Sequence, residues 1–114
     1  MDSDRELLEL AAKAAGIEGE IKKTFGGWPC VMRKNGHAWQ PMHDDGDALR
    51  LAVDLDLAIV PYPIYNKQKH SVLVQKKNLD ESRFEKMELH GDDPRAATRR
   101  AIVRAAAEIG KAMP

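Results

Sequence analysis

Two short segments of this 114-residue chain combine histidine and aspartate in a way that could do chemistry. One is His43-Asp44-Asp45-Gly46-Asp47, and the other is His90-Gly91-Asp92-Asp93-Pro94. Imidazole and carboxylate groups suit a divalent metal, and a bound metal could activate water for hydrolysis. The spacing of these residues does not by itself fix a ligand geometry.

Both segments also stand directly before an alanine-rich stretch with helical character. The first turn of a helix has unpaired N–H groups and a positive dipole end, so aspartates there serve as caps. We favour capping for Asp44, Asp45 and Asp93. A metal site and a polar ligand pocket remain alternatives. If the two helix starts meet in space, either would draw on His43, Asp44, Asp45, Asp47, His90, Asp92 and Asp93.

The two tryptophans are candidates for contact with a ligand or partner. Trp28 follows Gly26-Gly27, and Trp39 precedes Gln40-Pro41. A tryptophan beside polar residues offers a stacking surface, but in a chain with 5% aromatic residues it more often fills the core. We favour a core position for Trp39 and leave Trp28 open.

Cys30, the only cysteine, is expected to be a buried and inert thiol.

A basic turn is the third candidate site. Lys67, Lys69 and His70, together with Arg95 and Arg99, could hold a phosphate-bearing ligand or nucleic acid. The favoured alternative is a solubilising hairpin that protects a sheet edge from aggregation. No nucleic-acid motif is present, and a formal net charge of zero gives no overall field that attracts nucleic acid.

Bulk properties indicate one globular domain over residues 1–114, with 43% hydrophobic and 32% charged residues. The first residues are acidic where a secretory signal would be basic and then apolar. No apolar run approaches the roughly 20 residues of a membrane span. We therefore expect a cytoplasmic protein with no cofactor and no membrane partner.

Hydrophobic periodicity and capping residues predict an α+β fold of order α-β-β-α-β-β-β-α, with the helices packed on a mainly antiparallel sheet as a sandwich. Pro61 and Pro63 remove two N–H donors from the same side of one strand, so that strand should lie at a sheet edge or leave the sheet at Pro61. The expected helices are about 4–15, 45–56 and 94–110, and the expected strands about 29–34, 37–40, 57–65, 70–76 and 84–89.

Three stretches resemble the phage ABA sandwich domain family, small proteins encoded by bacteriophages and prophages of proteobacteria. They are residues 4–17, residues 39–52 with Trp39-Gln40-Pro41 and Asp44-Asp45-Gly46-Asp47, and residues 96–106. The resemblance follows the three helices and spans almost the whole chain. One departure is Asp56, where relatives often carry glycine to leave the helix. The resemblance implies a helix–sheet sandwich and a phage origin, and it brings no established activity or functional residue.

The sequence favours a phage-encoded, non-enzymatic accessory binding protein. Its partner would be a host protein or a small nucleotide ligand, and it could antagonise a host defence system by blocking a protein or sequestering a nucleotide signal. Only the phage resemblance supports that role. The first alternative is a small metal-dependent hydrolase that uses the His/Asp cluster, and the second is a structural protein that self-associates through an edge strand.

Overall fold

The computed structural model describes residues 3–63, 70–76, 86–89 and 93–114. These ranges contain three helices and six strands. The helices are α1 (Asp4–Ala15), α2 (Asp45–Asp54) and α3 (Pro94–Ala112). The strands are β1 (Glu20–Lys23), β2 (Pro29–Met32), β3 (Ala38–Trp39), β4 (Leu57–Pro63), β5 (His70–Lys76) and β6 (Lys86–Leu89). The α+β class predicted from the sequence is confirmed, with one strand more than expected.

The strands form two separate antiparallel sheets of three strands each. The first sheet has the order β1-β2-β3, and the second has the order β4-β5-β6. β1 was not predicted, because Ile21 is its only apolar residue and three of its four residues are exposed. The hairpin between β2 and β3 turns at Asn35-Gly36, in the gap between the expected strands 29–34 and 37–40. Of these two turn residues, only Gly36 has a positive φ (88°).

α3 is the central element of the core. It contacts α1, α2 and all three strands of the second sheet, so it is buried on more than one side. Its buried residues are almost all small: Ala97, Ala101, Ile102, Val103, Ala105, Ala106, Ala107 and Gly110. Gly110 was expected to end this helix, but it lies inside it against the backbone of Leu10 in α1. A β-carbon at Gly110 would clash with the Leu10 carbonyl, so glycine here permits close packing of the two helices.

Capping residues set the helix ends as the sequence indicates. The Ser3 side chain accepts a hydrogen bond from the Glu6 N–H, and Gly16 ends α1 with φ 70°. α2 stops at Asp54, two residues earlier than predicted. Asp56 then takes the left-handed conformation with φ 55°, which glycine adopts more easily.

β4 is an edge strand, as its prolines predict. It pairs with β5 alone, from Leu57 opposite Lys76 to Pro63 opposite His70. Since proline has no N–H and backbone groups alternate along an antiparallel ladder, Pro61 and Pro63 take the positions whose backbone faces away from β5. The outer edge therefore lacks two of its donors.

Candidate functional site

An open cavity of about 390 Å³ lies between the starts of α2 and α3 and the second sheet. Most of its wall is apolar. The described residues that line it are Asp45, Ala48, Leu49, Ile59, Val72, Pro94, Arg95, Thr98, Arg99 and Ile102. Its volume is within the range of small-molecule sites, which begins at about 300 Å³. Three of the residues proposed from the sequence, Asp45, Arg95 and Arg99, meet at this cavity.

Arg99 joins the two helix starts at the cavity rim. Its Nη1 donates to Asp45 Oδ1 at 2.6 Å, and its Nε donates to the Met42 carbonyl oxygen at 2.9 Å. The Arg99 side chain is only 16% exposed, so this guanidinium is held in a defined position. The acidic start of α2 therefore meets the basic first turns of α3.

The first turn of α3 carries an unusual charge pattern. It contains Arg95 and no acidic residue after its N-cap. A cation at the positive end of a helix is unfavourable by a few tenths to about 1 kcal/mol. No described residue forms an ion pair with Arg95, which is exposed at the cavity rim. Natural proteins place residues against such local charge preferences mainly where function requires it, so Arg95 is a candidate for contact with a ligand.

The caps of α2 and α3 are formed by one aspartate each. Asp44 Oδ2 accepts from the Asp47 N–H at 2.8 Å, and Asp93 Oδ1 accepts from the Ala96 N–H at 3.1 Å. Capping is confirmed for Asp93 and Asp44. Asp45, in contrast, is the first residue of α2 and serves as the partner of Arg99.

The predicted His/Asp cluster does not assemble into a metal site in the described part of the chain. No group of three or more His, Cys, Asp or Glu side chains there is placed to hold a metal ion. His43 is exposed, and its ring stacks on Trp28. His90 and Asp92 lie outside the described residues.

A second polar centre surrounds Asp47. The helical period of α2 predicts that Asp47, Arg50 and Asp54 form its water-facing side. The Asp47 side chain is 1% exposed. Its Oδ2 accepts from the Gln40 N–H at 2.9 Å, while Oδ1 lies 2.8 Å from both His37 Nε2 and Arg50 Nη2. The prediction was wrong for Asp47, because the segment before α2 folds back over this face of the helix.

Hydrogen bonding keeps the buried Asp47 ionised. Burial alone would raise the pKa of its carboxyl group, but the hydrogen bonds from Gln40, Arg50 and His37 outweigh it and lower the pKa. A sequence signal for this role existed. Asp44 and Asp47 stand at the N-cap and N3 positions, as in a capping box, where the N3 carboxylate turns back toward the preceding backbone.

The two tryptophans have different environments. Trp39 is 4% exposed and belongs to the core, so the favoured reading is confirmed and Trp39 does not present a ligand surface. Trp28 is half-buried; its ring stacks on His43 with 4.2 Å between centroids, and its Nε1 donates to Gln40 Oε1 at 2.7 Å. This stack is a separate feature from the cavity.

His43 has an electrostatic environment that favours its neutral form. Partial desolvation of the imidazole and the nearby positive charge of Arg99 lower its pKa, and the negative charge of Asp4 opposes them. Its imidazole is therefore neutral further into the acidic range than an ordinary histidine.

Some of the other predicted residues lie outside the part of the chain that the structure describes. Lys67 and Lys69 are not among the described residues, and His70 is described only as the first residue of β5. Cys30 is buried, as expected. None of the described helices has the length and apolar character needed to span a membrane.

Comparison of the chain with models of protein families, with curated proteins and with solved structures gave no match.

Proposed function

We propose that the protein is a phage-encoded, non-enzymatic accessory binding protein of the phage ABA sandwich type, acting in the host cytoplasm. The resemblance over residues 4–17, 39–52 and 96–106 supports the phage origin. The α+β arrangement, with α3 packed between α1 and the second sheet, agrees with a helix–sheet sandwich. The role on a host component rests on the phage origin.

The cavity between α2, α3 and the second sheet is the observation that carries the binding function. It is open, about 390 Å³ in volume, and combines apolar walls with a few polar groups at the rim. Such a combination is typical of sites that bind small molecules. Of the two forms of host antagonism considered, it favours capture of a small ligand over blocking of a protein.

The carboxylates at the start of α2 already have hydrogen-bond partners, which argues against a metal-dependent hydrolase. Asp44 caps α2, Asp45 pairs with Arg99, and Asp47 accepts three hydrogen bonds. A metal-dependent hydrolase needs carboxylates that are free to ligate the ion. We therefore place the hydrolase second.

Self-association through β4 is also less favoured. Pro61 and Pro63 leave its outer edge without two N–H donors. Prolines at such positions are a common device against edge-to-edge pairing.

Native mass spectrometry of protein purified gently from infected or expressing host cells tests the proposal. The wild type should carry one small molecule per chain, chemically unchanged on prolonged incubation. Leu49→Trp, which alters the cavity wall, should lose it. Val53→Trp is the matched control, because Val53 lies one turn further along α2, is similarly exposed (65% against 58%) and does not line the cavity.

Two results would contradict this function. Equal retention of the molecule by both tryptophan variants would show that it binds elsewhere. Progressive conversion of the molecule over many turnovers, stopped by a chelator, would favour the hydrolase.

A further inference from the structure

The cavity combines an apolar interior with a rim that carries excess positive charge. Ala48, Ile59, Val72 and Ile102 supply apolar wall from α2, β4, β5 and α3. At the described rim, two arginines face one carboxylate. That carboxylate is bound to Arg99, and Arg95 forms no ion pair with any described residue.

We propose that the cavity takes an amphipathic organic anion, a ligand with an apolar body and a single carboxylate, sulfonate or phosphate group. This inference rests on the proposed function of small-ligand capture and names the class of ligand. The apolar body lies against the walls, and the anionic group meets Arg95 at the start of α3.

Charge complementarity identifies the anionic end. Arg95 stands in the first turn of α3, where the helix dipole is also positive. The carboxylate of Asp93 already caps this helix end, so the guanidinium of Arg95 is the group that attracts an anion bound there. Arg99, fixed by Asp45 and by the Met42 carbonyl, shapes the rim beside it.

The composition of the walls identifies the apolar end. Thr98 is the only uncharged polar side chain among the described lining residues, and its hydroxyl already donates to the Pro94 carbonyl at 2.8 Å. A nucleobase would leave several of its hydrogen-bonding groups unpaired against such walls, which is unfavourable. An aryl or alkyl body meets no such penalty.

A matched pair of fluorescent probes tests the proposal. The sulfonate 8-anilinonaphthalene-1-sulfonate and the neutral N-phenyl-1-naphthylamine share the same aromatic body and differ by the anionic group. The wild type should bind both, and only the affinity for the sulfonate should fall with added salt. Arg95→Gln should weaken sulfonate binding by about two- to fivefold, the loss expected for one ion pair at an exposed position, and leave the neutral probe unaffected.

The control is Lys34→Gln, which removes one positive charge from an exposed position in the turn between β2 and β3. It should change neither affinity. The melting temperature of Arg95→Gln should not fall, because the substitution removes a cation from the positive end of α3. Lower stability together with equal loss of both probes would show that Arg95 has only a structural role, and would overturn the proposal.

Competition against the bound sulfonate distinguishes the sources of the anion. Displacement by 1-naphthoate or octanoate, and weaker displacement by adenosine monophosphate, is the expected result. Stronger displacement by the nucleotide would contradict the apolar body. An unchanged sulfonate affinity in Arg95→Gln would contradict the anionic class while leaving ligand capture in place, whereas failure of both probes to bind the wild type would count against the proposed function itself.

Discussion

Replacing Asp47 with asparagine should destabilise the protein strongly, although the two side chains have nearly the same shape. Both carboxylate oxygens face donors: Oδ2 faces the Gln40 N–H, and Oδ1 faces His37 and Arg50. An asparagine amide has one acceptor and one donor group. Whichever way it is turned, its NH2 group points at a donor and leaves that donor without its partner.

The decrease in the free energy of unfolding depends on which of these donors can form hydrogen bonds with water instead. The Arg50 and His37 side chains are 65% and 43% exposed, so water partly replaces their bonds to Asp47. The bond from the Gln40 N–H and the lost charge at a 1% exposed site are less easily replaced. Charge-assisted hydrogen bonds contribute about 1.5–3 kcal/mol, and we expect Asp47→Asn to lower the free energy of unfolding by about 2–3 kcal/mol.

The pH dependence of the effect gives a second check. Because the pKa of Asp47 is lowered in the folded protein, its contribution is fully present above the pKa of an unfolded aspartate, near 3.8. That contribution is lost as the pH falls through the lower folded value. The stability difference between wild type and Asp47→Asn should therefore be constant near neutral pH and shrink below about pH 4.

Urea unfolding followed by circular dichroism, at pH 7 and at several acidic values, measures both effects. Asp54→Asn is the control, because Asp54 ends the same helix and is exposed, and it should change stability by less than about 0.5 kcal/mol. A loss below about 1 kcal/mol for Asp47→Asn at pH 7, or a difference that does not change in acid, would show that the Asp47 carboxylate does not stabilise the fold in this way.

Three further predictions concern backbone, packing and charge. Asp56→Gly should stabilise the protein by about 0.5–1 kcal/mol in urea unfolding, because Asp56 has φ 55°; a loss of stability would contradict strain there. Gly110→Ala should lower the melting temperature, although alanine normally stabilises a helix interior, because the new methyl group meets the Leu10 carbonyl; a rise would contradict the close approach of α1 and α3. In proton NMR titrations the pKa of His43 should lie below its ordinary value of 6.5 and rise in Arg99→Gln, and an unchanged value would show that Arg99 does not act on it.

The local signals in the sequence were sufficient for the starts of the helices, for the end of α1 and for one edge strand. Ser3, Gly16 and Pro94 mark helix ends through backbone chemistry that involves only their neighbours. Pro61 and Pro63 similarly report the edge position of β4, since a missing donor is a local property.

Features that depend on distant packing were not predictable in the same way. β1 has almost no apolar residues and is held by pairing with β2. The division of six strands into two sheets depends on which strands meet after folding. The helical period of α2 predicts that Asp47 faces water because that period describes only the helix itself. The segment around Gln40, which covers Asp47, lies outside the helix.

The candidate site shows both cases. Asp45, Arg95 and Arg99 were named from charge and position, but the cavity that they line was not, because its walls come from α2, α3, β4 and β5. Helix starts can be read from the sequence, whereas the space between them depends on how α3 packs on the second sheet.

Methyl NMR spectroscopy during titration with 8-anilinonaphthalene-1-sulfonate shows whether this cavity is the binding site. The methyl signals of Ile59, Val72 and Ile102, which line the cavity, should shift and saturate together at one probe per chain. The signals of Ile21 and Val31, in the first sheet, should stay in place. Saturating shifts at Ile21 and Val31, with none at the cavity residues, would show that the probe binds at the first sheet and not in the cavity.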